Sequence, residues 1–257
     1  MKELFRREPL REFSNYSTSH LHAGEIYQAR FRDRPGRAAM WALEQALIRK
    51  IFLQLAPRRV LDFATGTGRV VAELQGCLPR CQFDGIDISA DMLATARSRC
   101  SRVAFHEMDG RQALKEFGHA TFDVVSAFRF FANADPQLRE DAADQIAALT
   151  RDGGHVVINN HRSFWSTSYL AMRATGNRDG VFGSPNSEIK RLFVQRGFTC
   201  ARTYSLGVWP QTDFRAALLS WPATIALERF NMHYCARLHS LGYNKIFVFR
   251  KTAASRP

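Results

Sequence analysis

Cysteine is sparse in this chain of 257 residues, and what there is does not pair. Cys77, Cys81, Cys100, Cys200 and Cys235 are odd in number and scattered, with no Cys-x-x-Cys among them. A zinc site needs paired ligand spacings, so the pattern points to reduced thiols serving as small hydrophobes, and no metal is expected. Long apolar runs are missing too; none approaches the ~20 residues of a membrane-spanning helix. The opening Met1-Lys2-Glu3-Leu4-Phe5-Arg6-Arg7 mixes charges and carries no apolar h-region. No secretory signal is therefore expected, and the expected location is cytoplasmic. Internal repeats and low-complexity tracts are likewise missing.

What is present is ordinary for a globular chain: 46% hydrophobic and 23% charged residues, enough for one elaborated domain. The net charge of +12 raises the question of a polyanionic or anionic partner. The positive residues are mostly arginine and are spread along the chain: Arg30, Arg32, Arg34 and Arg37, then Arg58 and Arg59, then Lys190 and Arg191. Such a spread also fits solvated faces, so charge alone selects no substrate.

Residues 1–35 are polar with interspersed aromatics and read as an arm or cap. From Ala38 to Leu55 apolar residues recur at helical spacing, through Met40, Leu43, Leu47 and Ile51, until Pro57 stops the pattern. A regular alternation follows. Strands are expected at Val60–Ala64, Phe83–Ile88, Val103–Met108, Phe122–Phe128 and His155–Asn159. Helices are expected at Arg69–Gln75, Ala90–Arg99 with Ser89 as N-cap, and Gln137–Thr150, with Asp152-Gly153-Gly154 as a sharp turn before the fifth strand. Beyond residue 160 the rhythm breaks into helical stretches at Phe164–Thr175, Ser187–Arg196 and Asp213–Leu241. A β-rich run at Phe198–Leu206 and a final strand at Lys245–Arg250 accompany them. The expected architecture is α/β: a Rossmann-like, seven-stranded, mostly parallel sheet sandwiched by helices, its last strand antiparallel. Its main domain spans 36–251 with helical lid insertions near 162–186 and 209–242, and a tail covers 252–257.

The most informative stretch is Val60-Leu61-Asp62-Phe63-Ala64-Thr65-Gly66-Thr67-Gly68. An apolar run ending in an acid meets a Gly-x-Gly turn, and a helix-forming segment follows, so the backbone there can approach a ligand closely. A second acid, Asp87, closes the next apolar run 19 residues after Gly68. Nucleotide-binding α/β folds place a ribose-binding carboxylate at about this separation.

With these motifs the chain resembles the class I S-adenosylmethionine-dependent methyltransferases over roughly residues 36–251. The first motif is Val60 to Gly68. The second is Asp87-Ile88-Ser89-Ala90-Asp91-Met92-Leu93, and the third is Met108-Asp109-Gly110. Phe122-Asp123-Val124-Val125 and Arg151-Asp152-Gly153-Gly154 match the fourth strand and the turn before the fifth. Thr65 stands where many members carry cysteine or glycine. The resemblance implies S-adenosylmethionine as cofactor, with S-adenosylhomocysteine as product. It implies that Ala64, Thr65, Gly66 and Gly68 lie along its methionine and ribose parts, while Asp87 accepts the ribose hydroxyls beside Ile88 and Met92. Asp109 would accept the adenine amino group, with Met108 and Gly110 in the adenine wall and Phe128 at the same ring or in packing. Asp62 would order the loop or meet the ammonium. Tyr16 and Arg30 of the arm would close over the cofactor, Arg30 on its carboxylate.

For the transfer itself, the loops after strands four and five offer Arg129, Asn133, Asn159, Asn160, His161 and Arg162, of which His161 is the candidate base. The region after strand four, Ser126-Ala127-Phe128-Arg129-Phe130, lacks the Asn/Asp-Pro-Pro-aromatic run of nucleic-acid amino-methyltransferases and the Pro-Cys of cytosine enzymes. Asp135 stands alone where metal-dependent relatives cluster acids. The resemblance therefore favours a small organic acceptor, apolar, aromatic or anionic, under a lid containing Trp165, Tyr169, Trp209, Trp221 and Phe230. Methylation of RNA or of a protein side chain, and a non-catalytic cofactor-binding scaffold, are the alternatives.

Overall fold

The computed structural model describes residues 35–161, 163–167, 169–170, 185–208, 221–234 and 241–252. The expected arm, with Tyr16 and Arg30, lies outside the described residues, as do Arg162, Trp209 and most of the two lid insertions. In chain order the elements are α1 (Pro35–Leu55), β1 (Arg59–Phe63), α2 (Arg69–Cys77), β2 (Gln82–Asp87), α3 (Ala90–Arg99) and β3 (Val103–Glu107). A 3-10 turn (Gly110–Gln112) and the short α4 (Ala113–Phe117) follow. Then come β4 (Phe122–Ala127), α5 (Pro136–Leu149), β5 (Thr150–Asn160), α6 (Asn186–Val194), β6 (Phe198–Leu206), α7 (Trp221–Tyr234) and β7 (Asn244–Lys251).

One sheet contains all seven strands, in the order β3-β2-β1-β4-β5-β7-β6. β1 to β5 pair in parallel, whereas β7 runs antiparallel to both β5 and β6. The strand order reverses between β1 and β4, so the crevice for a ligand lies outside the carboxyl ends of those two strands. The expected fold is the observed one.

Alternation along the strands sends two sets of side chains to two cores. Leu61, Phe63, Val125, Val156, Ile158, Phe247 and Phe249 face α5 and α6, where Ile146, Leu192 and Phe193 are buried. Val60, Phe83, Val124, Val157, Ile246 and Val248 face the layer of α1 and α2, filled by Leu43, Leu47, Ile48, Phe52, Val71 and Leu74. α1 is pinned further by polar contacts to α2: Gln45 donates to Glu73 at 2.7 Å, and the Arg69 guanidinium lies 3.8 Å from the Trp41 ring centroid.

Helix ends follow capping chemistry. Ser89 accepts from the Met92 amide at 3.3 Å, and Asp135 accepts from Leu138 at 2.9 Å with Pro136 opening α5. Asp135, considered above only as a missing metal ligand, is thus a helix cap. Two differences from the sequence reading stand out. Asp152-Gly153-Gly154 is no turn between elements but an irregularity inside a longer β5, where the register with β4 shifts between Phe122 and Val124. Gly153 has φ of 70°, and a Cβ on Gly154 would meet the Asp123 carbonyl oxygen at 2.9 Å, so glycines serve the bulge as they would a turn. The 3-10 turn and α4 also went unseen, being too short to establish a periodicity.

No helix among the described residues is long and apolar enough to cross a membrane. Phe193 is the hub of one core, with its ring centroid 5.0 Å from that of Phe249, 5.5 Å from Phe131 and 5.9 Å from Phe198. Phe193→Ala is expected to destabilise the fold by about 3–5 kcal/mol. In urea denaturation this reads as a lower midpoint with an unchanged slope.

Candidate active site

The loop leaving β1 is held in an unusual backbone conformation. Ala64, Gly66 and Gly68 have φ of 54°, 55° and 68°, three left-handed residues within five positions. Gly66 and Gly68 adopt this region without cost, whereas Ala64 carries strain that the surroundings must offset. Gly68 is also the N-cap of α2 and packs tightly, since a Cβ there would lie 3.0 Å from that of Ala96. A Cβ on Gly66 would meet nothing within 4 Å, so this residue faces open space.

Two carboxylates fix that loop. Asp62, buried at the end of β1, accepts from the Ser126 hydroxyl of β4 at 2.6 Å and from the Thr65 hydroxyl at 2.7 Å. It therefore ties Thr65 of the loop to β1, and β1 to β4 at the strand-order reversal. Burial raises its pKa from 3.8 to about 6, against the lowering effect of the two hydroxyls. Asp87, at the end of β2, accepts from the Gly66 amide at 2.8 Å and from the Ser89 amide at 3.0 Å. A carboxylate has room for about four hydrogen bonds, so this geometry is compatible with further hydroxyl donors.

Around Asp87 the walls are apolar. Ile88 is 44% exposed, a large hydrophobe in water directly beside the acid, while Met92 is buried one helical turn on. Gly85 of β2 lies beneath the loop, and a Cβ there would reach the Phe105 ring at 2.9 Å and the Thr65 methyl at 3.2 Å. Neither Gly85 nor Ser126 was picked out from the sequence. Gly85 had a readable signal as a glycine inside a strand pattern, whereas Ser126 becomes visible only once β1 and β4 are known to be neighbours.

The third motif is placed differently from its simplest reading. Gly110 presses on Phe63, since a Cβ there would lie 2.3 Å from the ring's Cζ, and Met108 packs at the edge of the same core. Asp109 caps the 3-10 turn by accepting from the Arg111 amide at 2.9 Å. Its two oxygens also take the Arg111 guanidinium, Oδ1 accepting from Nε at 3.1 Å and Oδ2 from Nη2 at 2.5 Å, which holds its pKa below the usual carboxylate range.

Beyond β4, Phe128 is half-buried against the α1 layer, while Phe130 and Phe131 are buried in the opposite core. Arg129 has φ of 62°. Its amide donates to the Asn159 side chain at 2.6 Å, and its guanidinium donates to Glu44 of α1 at 3.1 Å. The buried Glu44 also accepts from Asn159 at 3.1 Å and from Asn244 at 2.9 Å, so α1, β5 and β7 meet at the carboxyl edge. Glu44 was missed, although an acid between Met40 and Leu47 on the inward stripe of a helix was the signal to find it. Asn160 donates to Asn186 at 2.9 Å, and His161 follows it, buried. The groove lined by Arg59, Arg80, Asp84 and Arg102 opens at the opposite, amino edge and is not part of this site.

An acid whose folded pKa lies above its unfolded value binds its proton more tightly in the native state. Stability is therefore expected to fall as pH rises from 3.8 to about 6, and to change no further on this account above that. In Asp62→Asn this decline should vanish, which chemical denaturation at stepped pH, compared with the parent protein, would detect.

Residues 60–154 match a family described as a methyltransferase domain. A demethylmenaquinone methyltransferase of Thermus thermophilus is 34% identical over 111 residues, 41% of this chain and 48% of that one. The chain thus spans about half the length of the curated relatives it matches. Among solved structures, a SAM-dependent methyltransferase from Archaeoglobus fulgidus superposes with a TM-score of 0.61 at 16% identity, over 88% of this chain and 99% of that one. Magnesium protoporphyrin IX methyltransferase from Synechocystis PCC 6803, with bound SAH, gives 0.59 at 14% identity over 90% and 96%. The strand order, the glycine loop and the two strand-end acids thus stand on a methyltransferase-domain match over residues 60–154 and on the fold of solved S-adenosylmethionine-dependent methyltransferases.

Proposed function

We propose that the protein transfers a methyl group from S-adenosylmethionine to a small organic acceptor by in-line displacement. The observation that carries this reading is the left-handed Ala64–Gly68 loop, held between Asp62 and Asp87 with its open side at Gly66. Such a loop offers backbone and a carboxylate to a nucleoside-bearing ligand. The exposed Ile88 beside Asp87 suits a ribose or purine face. The names of the curated relatives and of the solved neighbours point the same way.

When bound, the cofactor supplies an electrophilic methyl on a sulfonium. The chain's residues supply position, and holding two reactants in line can contribute up to about 7–11 kcal/mol of barrier reduction. In this reading Asp87 takes the ribose hydroxyls, Asp109 takes the adenine amino group shared with Arg111, and Asp62 keeps the loop closed against β4. Thr65, Gly66 and Gly68 line the methionine end, and Tyr16 and Arg30 of the arm belong to the same proposal. His161, next to the asparagines that end β5, is the proposed base where the nucleophile must lose a proton, a contribution of about 10²–10⁴-fold. The apolar side chains Trp165 and Leu170, exposed beyond β5, favour an acceptor with an apolar or aromatic body in the cytoplasm.

Calorimetric titration with S-adenosylhomocysteine tests the cofactor site. Binding is expected, and Asp87→Asn should weaken it by about 10- to 100-fold, the weight of one or two hydrogen bonds to a charged group. No binding by the parent protein would defeat the reading. A labelled-methyl assay against small aromatic acceptors and bulk RNA then separates the acceptor classes.

A further inference from the structure

Lys245 has no part in the scheme above, and among the described residues its charge is left unanswered. It is the second residue of β7 and is 2% exposed. Register pairs it with Asn160 of β5 on one side and with Ser205 of β6 on the other, so the three side chains form a row on one sheet face at the carboxyl edge. The ammonium donates to the Ser205 hydroxyl at 2.6 Å. An ammonium has three donors, and no carboxylate among the described residues forms an ion pair with it.

The neighbouring helix worsens the balance. Lys190 of α6, its Nζ 5.4 Å from the Phe247 ring centroid, is the charged group that bears on Lys245. Glu188 of the same helix is already paired with Arg139 at 2.6 Å. β5 and β6 contribute the neutral Asn160 and Ser205. Burial, and then Lys190, lower the Lys245 pKa to about 8, so most of the population is still a cation at neutral pH. A buried cation without a counter-charge is costly, and an anionic ligand would remove that cost. The row also lies where such a ligand would arrive. Ligands of open α/β sheets sit beyond the carboxyl ends of the strands, and β7 is two strands from β4, about 10 Å by strand spacing. A two-ring acceptor spans that distance.

We propose that Lys245, with Ser205 and Asn160 beside it, is an oxyanion subsite of the acceptor pocket that takes an ionised oxygen on the part of the acceptor remote from the methylated atom. The proposal rests on the methyltransferase reading for its link to an acceptor, but the subsite itself can be tested without turnover.

The test is calorimetric titration of 1-naphthoate, the neutral isostere 1-naphthamide, and 1-naphthol, with and without saturating S-adenosylhomocysteine. The parent protein should bind naphthoate at least about tenfold more tightly than naphthamide, the weight of one charge-assisted hydrogen bond. That preference should decline as pH rises past about 8 and Lys245 loses its proton. It should disappear in Lys245→Met and survive in part in Lys245→Arg, with S-adenosylhomocysteine affinity unchanged in both. Unchanged cofactor affinity also shows that both variants are folded. Naphthol binding that strengthens between pH 7 and 8 in the parent alone would identify an ionised ring hydroxyl as the preferred oxygen, whereas naphthoate alone would identify a carboxylate. Equal binding of naphthoate and naphthamide, or a preference retained in Lys245→Met, would overturn the subsite. Loss of S-adenosylhomocysteine binding in the parent would overturn the methyltransferase reading alone, since the naphthoate comparison stands without it.

Discussion

Everything at the carboxyl edge depends on the hydrogen bonds that Asp62 accepts from Ser126 and Thr65. A parallel sheet whose strand order reverses has a gap there, because the loops leaving β1 and β4 turn to opposite faces. The buried carboxylate bridges the two strands at that gap and draws the glycine loop down against it. Burial is what makes the bridge firm, since both hydroxyl bonds are shielded from water. The same burial makes the acid reluctant to ionise. A neutral residue could fill the space, but it could not accept from two hydroxyls at once with the same freedom of geometry.

Three strand-end acids then divide the work by environment. Asp62 is buried between hydroxyls and structural. Asp87 meets two backbone amides at the rim of the site, a setting suited to a carboxylate that also receives ligand hydroxyls. Asp109 is gripped by Arg111, which keeps it charged but makes its availability to a ligand depend on a flexible, 58% exposed side chain. A ligand donor at Asp109 would therefore exchange with Arg111, whereas one at Asp87 would join an acceptor already oriented by two amides.

The half of the fold that precedes residue 160 was legible because each of its signals is local. An apolar run ending in an acid, a Gly-x-Gly, Ser89 before a helix and Asp87 at its distance are all readable without neighbours. Elements that depend on pairing were not. Ser126 gains its role from β1, Glu44 from β5 and β7, and Lys245 from the two strands flanking β7. Asp152-Gly153-Gly154 was read as a turn because a bulge and a turn demand the same residues; only the register with β4 separates them. The aromatics after β4 were ambiguous for a related reason. Phe130 and Phe131 point into the core and Phe128 to the opposite layer, a division set by helix packing that no spacing encodes.

The polar residues on the two faces of the sheet at the carboxyl edge obey different electrostatic rules, and this bears on what each face is for. Around β5 and the α1 layer, Glu44 is answered by Arg129, Asn159 and Asn244, a closed set whose members satisfy one another. Such a set holds structure and leaves little charge to offer. On the other face, Lys245 has a hydroxyl and a second cation for company. A chain selected only for stability would replace that lysine with an apolar residue of similar length, because removing an unpaired buried charge costs nothing in lost pairing. Lys245 thus stands in the middle strand of three, beside a fully paired network, with no carboxylate among the described residues to answer it, which is the imbalance an anionic ligand at this edge would relieve.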